Sequence, residues 1–301
     1  MNTGTLVRSL GLSIFAAIIT LPAHATDARM SAMSNNVGIT DDTDFTRYAS
    51  EAGEVGGHAW MNYAGGLTGA MAWDGNAVSI DMSNGATMGF YNSNGDSGYS
   101  ASLGYDNATE GIALGGSWAT ADRSDGLSNM AIGGGLTMVD DSIGLNVGVN
   151  SRTLTDDSVT AWGGGLGYSD AGINVGGNYR MGHRFGDSAA FTYGPGVAID
   201  MPDGGDMAVN LHLLAANMAS EFMFNDWFGL RGSVTGTLGL DDLTGDMTPS
   251  MNVGSAFGAA LSSDSAVIDL MVDPAQIMGG PYFLTGNASG AAAYMSIRVA
   301  I

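Results

Sequence analysis

Four of the chain's nine basic residues, all arginine, recur at one kind of position. Arg152 follows Asn146 and Asn150 at even spacing, and Arg180 follows Asn174 and Asn178 in the same way. Arg231 leads into Ser233, Thr235 and Thr237, and Arg298 stands beside Ser296 on the same two-residue beat. A guanidinium is a permanent cation with five donors in a planar fork. Gathered around an aqueous bore, such groups form a cationic constriction that selects anions. Set opposite Asp41, Asp42 and Asp44, they hold an acidic segment in place through charge-assisted bonds. Set beside in-phase acids such as Asp81 or Asp269, they brace a wall. The residue types leave these three uses open. His212 shares the phase of Asn210, and Asn252 adds another polar position.

Other constellations lead to no chemistry. Gly95-Asp96-Ser97-Gly98 matches a serine-hydrolase string, but Asn-Gly-Asp-Ser-Gly is ordinary hairpin-turn composition. His58, His183 and His212 lack the spacing that brings metal ligands together. Asp241, Asp242 and Asp246 lack the glycine and glutamate positions of an EF-hand loop; loose contact with divalent cations at a lipopolysaccharide surface is the most they suggest. No glycine-rich string is followed by a helix pattern that would cradle a phosphate. Zero cysteines remove disulfides, thiolate metal sites and covalent haem attachment. The sequence therefore predicts no catalytic residue, no metal, no cofactor and no enzyme.

The elements that position the arginines are strands. Ile143, Leu145, Val147 and Val149 alternate with Gly144, Asn146, Gly148 and Asn150. Phe228, Leu230, Val234 and Leu238 alternate with Arg231, Ser233, Thr235 and Thr237. Such a period puts apolar side chains on one face and small or polar ones on the other. The glycines, 48 in all, would cost a helix about 1 kcal/mol each. Met88, Met130, Met138, Met207, Met251 and Met295 fall on the apolar phase, as side chains in contact with lipid would. An arginine facing lipid at mid-depth would cost about 2–4 kcal/mol, so the arginine face must point inward.

The ends of the chain fix the setting. Arg8, the apolar stretch Leu10 to Leu21 and Ala23-His24-Ala25 have the layout of an export signal, which sets residues 1–25 apart and makes Thr26 the mature start. The stretch is too short for a spanning helix, which needs about 20 residues. At the other end Met295, Ile297, Val299 and Ile301 alternate with Tyr294, Ser296, Arg298 and Ala300. Residues 26–55 show no two-residue period and are acidic, which makes them a plug or a periplasmic segment. Residues 56–301 are strand-like. A net charge of −21 argues against nucleic-acid partners, which need clustered positive charge.

Together these features predict an all-β protein: a transmembrane antiparallel up-and-down β-barrel of about 14 strands (range 12–16) in the outer membrane. The uncertainty in the count lies at residues 57–92, whose four short pieces fuse into fewer strands if the count is low. Tight turns are expected at Asp74-Gly75-Asn76, Asp140-Asp141, Asp156-Asp157 and Asn225-Asp226, and longer loops at 181–187, 241–249 and 273–290. Tyr63, Trp73, Tyr105, Trp118, Trp162, Tyr168, Tyr179, Trp227 and Tyr282 are placed as an interfacial girdle would place them. The implied partners are outer-membrane lipid and lipopolysaccharide, small solutes, barrel-assembly machinery that reads the C-terminal strand and, where a homo-oligomer forms, a second copy of the chain.

Ala28-Arg29-Met30, the paired Asp41-Asp42 and the Phe45 region resemble the start of the long-chain fatty-acid transporter-like superfamily of outer-membrane barrels. Asn225-Asp226-Trp227-Phe228-Gly229-Leu230-Arg231 is similar to a hairpin that recurs there. Thr46-Arg47-Tyr48-Ala49 stands where that family has an Asn-Pro-Ala element. The resemblance implies a 14-stranded barrel with its N-terminal segment in the lumen. The function expected first is a porin for passive diffusion of small polar solutes through a Gly/Asn-lined lumen with arginine charge tuning; the alternatives are a plugged transporter of hydrophobic compounds and a structural or adhesive barrel with a closed lumen.

Overall fold

A computed structural model describes residues 28–272 and 293–300, apart from 54, 56, 64–66, 83–85, 95–96, 107–110, 123–126, 140–141, 170–171, 187 and 264–265. The expected export signal, the expected turn at Asp140-Asp141, Tyr282 and the expected loop at 273–290 lie outside the described residues.

The alternating pattern folds into β1 (His58–Tyr63), β2 (Leu67–Trp73), β3 (Asn76–Asp81), β4 (Ala86–Asn94), β5 (Ser97–Asp106), β6 (Gly111–Asp122), β7 (Leu127–Val139) and β8 (Ser142–Leu154). It continues through β9 (Ser158–Ser169), β10 (Gly172–Arg184), β11 (Ala189–Pro202), β12 (Ala208–Asn225), β13 (Phe228–Asp241), β14 (Thr248–Ser262), β15 (Ala266–Val272) and β16 (Ala293–Ala300). Each strand pairs antiparallel with its sequence neighbours, and β1 also pairs with β16, so the sheet closes with no edge. The barrel has sixteen strands, not the 14 expected. The four short pieces of residues 57–92 are separate strands, β1 to β4, because each pairs antiparallel with the next across links of only two to four residues. Residues 181–184 also depart from expectation: they continue β10 to Arg184 and are not loop.

His58 pairs with Ala300, so the start of β1 and the end of β16 share one rim, here called the terminal end. The fully described connections there, 74–75, 155–157 and 226–227, are only two or three residues long. At Asp74-Gly75 both residues have positive φ (44° and 77°), as a two-residue hairpin turn that matches strand twist demands. The longer connections 203–207 and 242–247 lie at the far end.

Directly opposed residues share a face, so the register sorts every strand. One phase carries Met61, Leu103, Leu145, Val147, Leu166, Val234, Met251 and Val253, all exposed. The other carries Asn62, Ser100, Asn129, Asn146, Arg152, Thr192, Arg231, Ser233, Asp269 and Ser296, all buried. The barrel is thus apolar outside and polar inside, the reverse of a water-soluble one. Of the expected girdle, Tyr63, Trp118, Trp162, Tyr168, Tyr179 and Trp227 are exposed on the wall or its turns.

Candidate functional site in the bore

The chain upstream of the barrel has its own small fold: helix α1 (Ala28–Ala32) and two 3-10 turns, Asp44–Thr46 and Ala49–Gly53. The Ala28 N–H donates to Ser296 Oγ at 3.1 Å. Ala32 lies over Gly258 of β14, where an added Cβ would stand 2.7 Å from the Ala32 Cβ. Met30, Met33 and Ile39 form an apolar cluster with Ala190 and Ala219 of β11 and β12. Asn36 Nδ2 donates to the carbonyls of Ala190 and Asn217, and Arg184 Nε at the end of β10 donates to Gly38 O at 2.7 Å.

The 3-10 turns cover the other side of the bore. Phe45 packs among Trp60, Ala72 and Ala77 of β1, β2 and β3, with Tyr91 of β4 edge-on at 5.1 Å. Tyr48 and Ala49 pack against Ala119 and Ala131 of β6 and β7. Gly98 of β5 lies directly beneath the Ser50 backbone, with no room for a Cβ. Ser50 Oγ donates to Asn129 Oδ1 at 2.7 Å. With Arg152 on β8, Val159 on β9 beside Gly38, Ser233 on β13 and α1 against β15, residues 28–53 meet the inward face of all sixteen strands.

Ion pairs tie this packing together. Arg152 is buried with its guanidinium 2.8 Å from Asp44, bonded to Glu51 and 4.8 Å above the Tyr48 ring. Arg29 reaches Asp41 at 2.9 Å and Glu221 at 3.0 Å, and Glu221 also binds Arg231, which binds Asp269. Arg298 pairs with Asp42 at a more exposed position. Burial pushes the Asp41 carboxyl up, but Arg29 and the Thr43 hydrogen bonds outweigh it and hold the group below its ordinary value. Burial pushes the Tyr48 phenol up.

The predicted site residues therefore divide. Arg152 and Arg298 meet acids of the N-terminal segment. Arg231 meets the wall acids Glu221 and Asp269. Asp41 pairs with Arg29 of its own segment and not with a wall arginine. Arg180 lies on the inward face toward the far end from Arg184, and its recorded bonds go to the carbonyls of Tyr179, Gly194 and Pro195. No carboxylate among the described residues pairs with it. His212 faces inward between Gly196 and Gly239. Asn146, Asn150, Asn174, Asn178, Asn210 and Asn252 line the same face.

The sequence reading missed Arg29, Arg184, Glu51 and Glu221 as anchors, along with the aromatics Trp60 and Tyr91. A signal for the last two was present: Trp60 sits in phase with His58 and Asn62, and Tyr91 in phase with Gly89 and Ser93. An aromatic on the polar phase marks a place where something packs inside.

Near Arg180 the wall itself is irregular. Between Asn178–Gly196 and Met181–Tyr193 the β10–β11 ladder skips two residue pairs. Pro195 has no N–H to give there, and the Arg180 guanidinium takes up the freed carbonyls. The register also shifts between Gly194 and Gly196 against β12 and between His212 and Leu214 against β13.

No family model matches the sequence, and no curated protein is similar to it. Among solved structures the chain is similar to the CymD monoaromatic hydrocarbon channel at 11% identity and TM-score 0.41, covering 91% of this chain and 97% of that one. It is similar to a KdgM porin in complex with disordered oligogalacturonate at 8% identity and TM-score 0.29, covering 81% and 98%. CdiB from Acinetobacter baumannii gives 11% identity and TM-score 0.37, covering 81% of this chain and 59% of that one.

Proposed function

We propose that the protein is an outer-membrane channel whose bore is plugged at the terminal end by residues 28–53, and whose cargo is small hydrophobic or amphiphilic compounds that leave through the wall. The supporting observation is the contact of that segment with all sixteen strands, locked by the buried pairs of Arg152 with Asp44 and Glu51 and by the pair of Arg29 with Glu221 of the wall. The apolar exterior supports the membrane setting. The fatty-acid-transporter-like start of the chain agrees with it. The skipped pairs beside Pro195 support a route through the wall, because a ladder already open costs less to part. A porin for polar solutes is the second reading, favoured by the six inward asparagines and by Arg180.

A wall clamp separates the two. A Cβ at Gly196 would lie 3.6 Å from the Asn178 Cβ, which suits a disulfide, and the chain has no cysteine to interfere. In proteoliposomes, oxidising Asn178→Cys/Gly196→Cys lowers uptake of a hydrophobic fluorophore, and reduction restores it, while sugar-driven swelling is absent throughout. Swelling by the intact chain, with fluorophore uptake indifferent to the clamp, establishes the porin instead.

A further inference from the structure

The wall is not equally tall all round. Strands β7 to β14 run to 12–18 residues. Across the seam where the barrel closes, β1, β2 and β3 have only 6, 7 and 6 residues. Links of three, two and four residues separate β1, β2, β3 and β4, which leaves these strands little chain with which to lengthen. At about 3.4 Å per residue, β1 reaches roughly 20 Å even if untilted. The usual strand tilt of about 35–45° brings that to roughly 15 Å. The apolar band of an outer-membrane barrel is about 25 Å tall.

The outward face of this short wall is nevertheless apolar. It carries Met61, Tyr63, Leu67, Met71 and Ile80, all exposed, and is continuous with Met295 and Val299 of β16. Tyr63 sits opposite Leu67 at the far rim. Trp73 closes the terminal rim, immediately before the exposed Asp74 turn. An undisturbed bilayer would therefore bring polar turn backbone into hydrocarbon, where nothing satisfies it. Compressing the lipid costs far less per ångström than leaving those groups unpaired.

We propose that the β1–β3 seam is a lipid-facing surface that thins the bilayer locally, so that acyl chains are compressed against this side of the barrel. The inference rests on the outer-membrane reading above. It commits the apolar seam to lipid, not to a second copy of the chain.

The lack of cysteine makes site-directed spin labelling direct. Single cysteines replace Tyr63, Trp73 and, on the tall wall, the exposed Val147 in the mature full chain, refolded into palmitoyl-oleoyl phosphatidylcholine vesicles. Accessibility to oxygen and to a water-soluble nickel chelate reports depth. The Val147 label reads as acyl-buried, with oxygen access dominant. The Tyr63 and Trp73 labels both read as boundary-level, with nickel access dominant although they lie no more than about 20 Å apart. Oxygen dominance at either rim, at the depth of Val147, overturns the thinning. Low access to both reagents at the seam means that protein covers it, and dipolar broadening means that a second copy does; either result overturns the proposal. Loss of oxygen access at Val147 instead removes the membrane reading itself, so the two failures are distinguishable.

Discussion

The terminal and far halves of the bore share one inward alternation but are filled in opposite ways. In the terminal half the inward phase carries Trp60, Ala72, Ala77, Ala119, Ala190 and Ala219, and Arg152, Arg184, Arg231 and Arg298 there each have an acid or a segment carbonyl against them. In the far half the same phase carries asparagine, glycine and His212, and between the two halves, in the ladder row of Arg152, the Arg180 guanidinium rests on backbone carbonyls. The difference teaches that inward polarity does not by itself make a conducting lining. Where a second layer of chain is present, arginines serve as anchors. Arg180, beyond that layer, is left on backbone carbonyls with no carboxylate partner among the described residues.

Arg152 is where that contrast breaks most easily. Arg152→Gln strands Asp44 and Glu51 in a buried site, at a cost of about 3–5 kcal/mol to the docked segment. Hydrogen exchange of residues 44–53 should rise sharply while the barrel amides stay protected. Unchanged protection would mean that apolar packing alone holds the segment. Next in size, Gly98→Val forces a side chain into the Ser50 backbone and should cost about 1–3 kcal/mol, read by the same exchange.

The titrations give a smaller effect with a defined sign. The Tyr48 phenol is raised in the folded chain, so its contribution is complete below the ordinary value of 10.0 and is lost as pH rises past it. The Asp41 carboxyl is lowered, so its contribution is complete above 3.8 and is lost as pH falls below it. Channel openings should therefore increase at both extremes, and Tyr48→Phe should abolish the alkaline arm. An alkaline arm that survives Tyr48→Phe assigns it elsewhere. Smallest is Arg298→Gln: its pair with Asp42 is about one-third exposed, and water screens it to at most about 1 kcal/mol. In a chain lacking residues 28–53, Arg180→Gln should shift the reversal potential toward cations, whereas Arg298→Gln should shift it less.

Much of this was legible in the residues. Period-two alternation assigned the faces of β8, β10, β13 and β16, including the four arginines they carry, because burying a charge against lipid is too costly for the phase to be ambiguous. The strand count came out low because pieces as short as His58–Tyr63 hold too few residues for periodicity to separate one strand from two. The partners of the arginines were not readable. Arg231 and Glu221 face each other across β12–β13 only once a bulge at His212–Leu214 has shifted the phase of β12, and no composition marks that bulge. Glu51 meets Arg152 across 101 residues of sequence, a distance that no local pattern encodes.

The most direct test of the plugged bore is single-channel conductance of the refolded mature chain beside the same chain lacking residues 28–53, in planar bilayers. The account predicts an intact chain that inserts but stays silent, and a deleted chain that opens a large, stable pore. Equal, stable conductance from both would contradict it, because the segment would then line the bore without closing it.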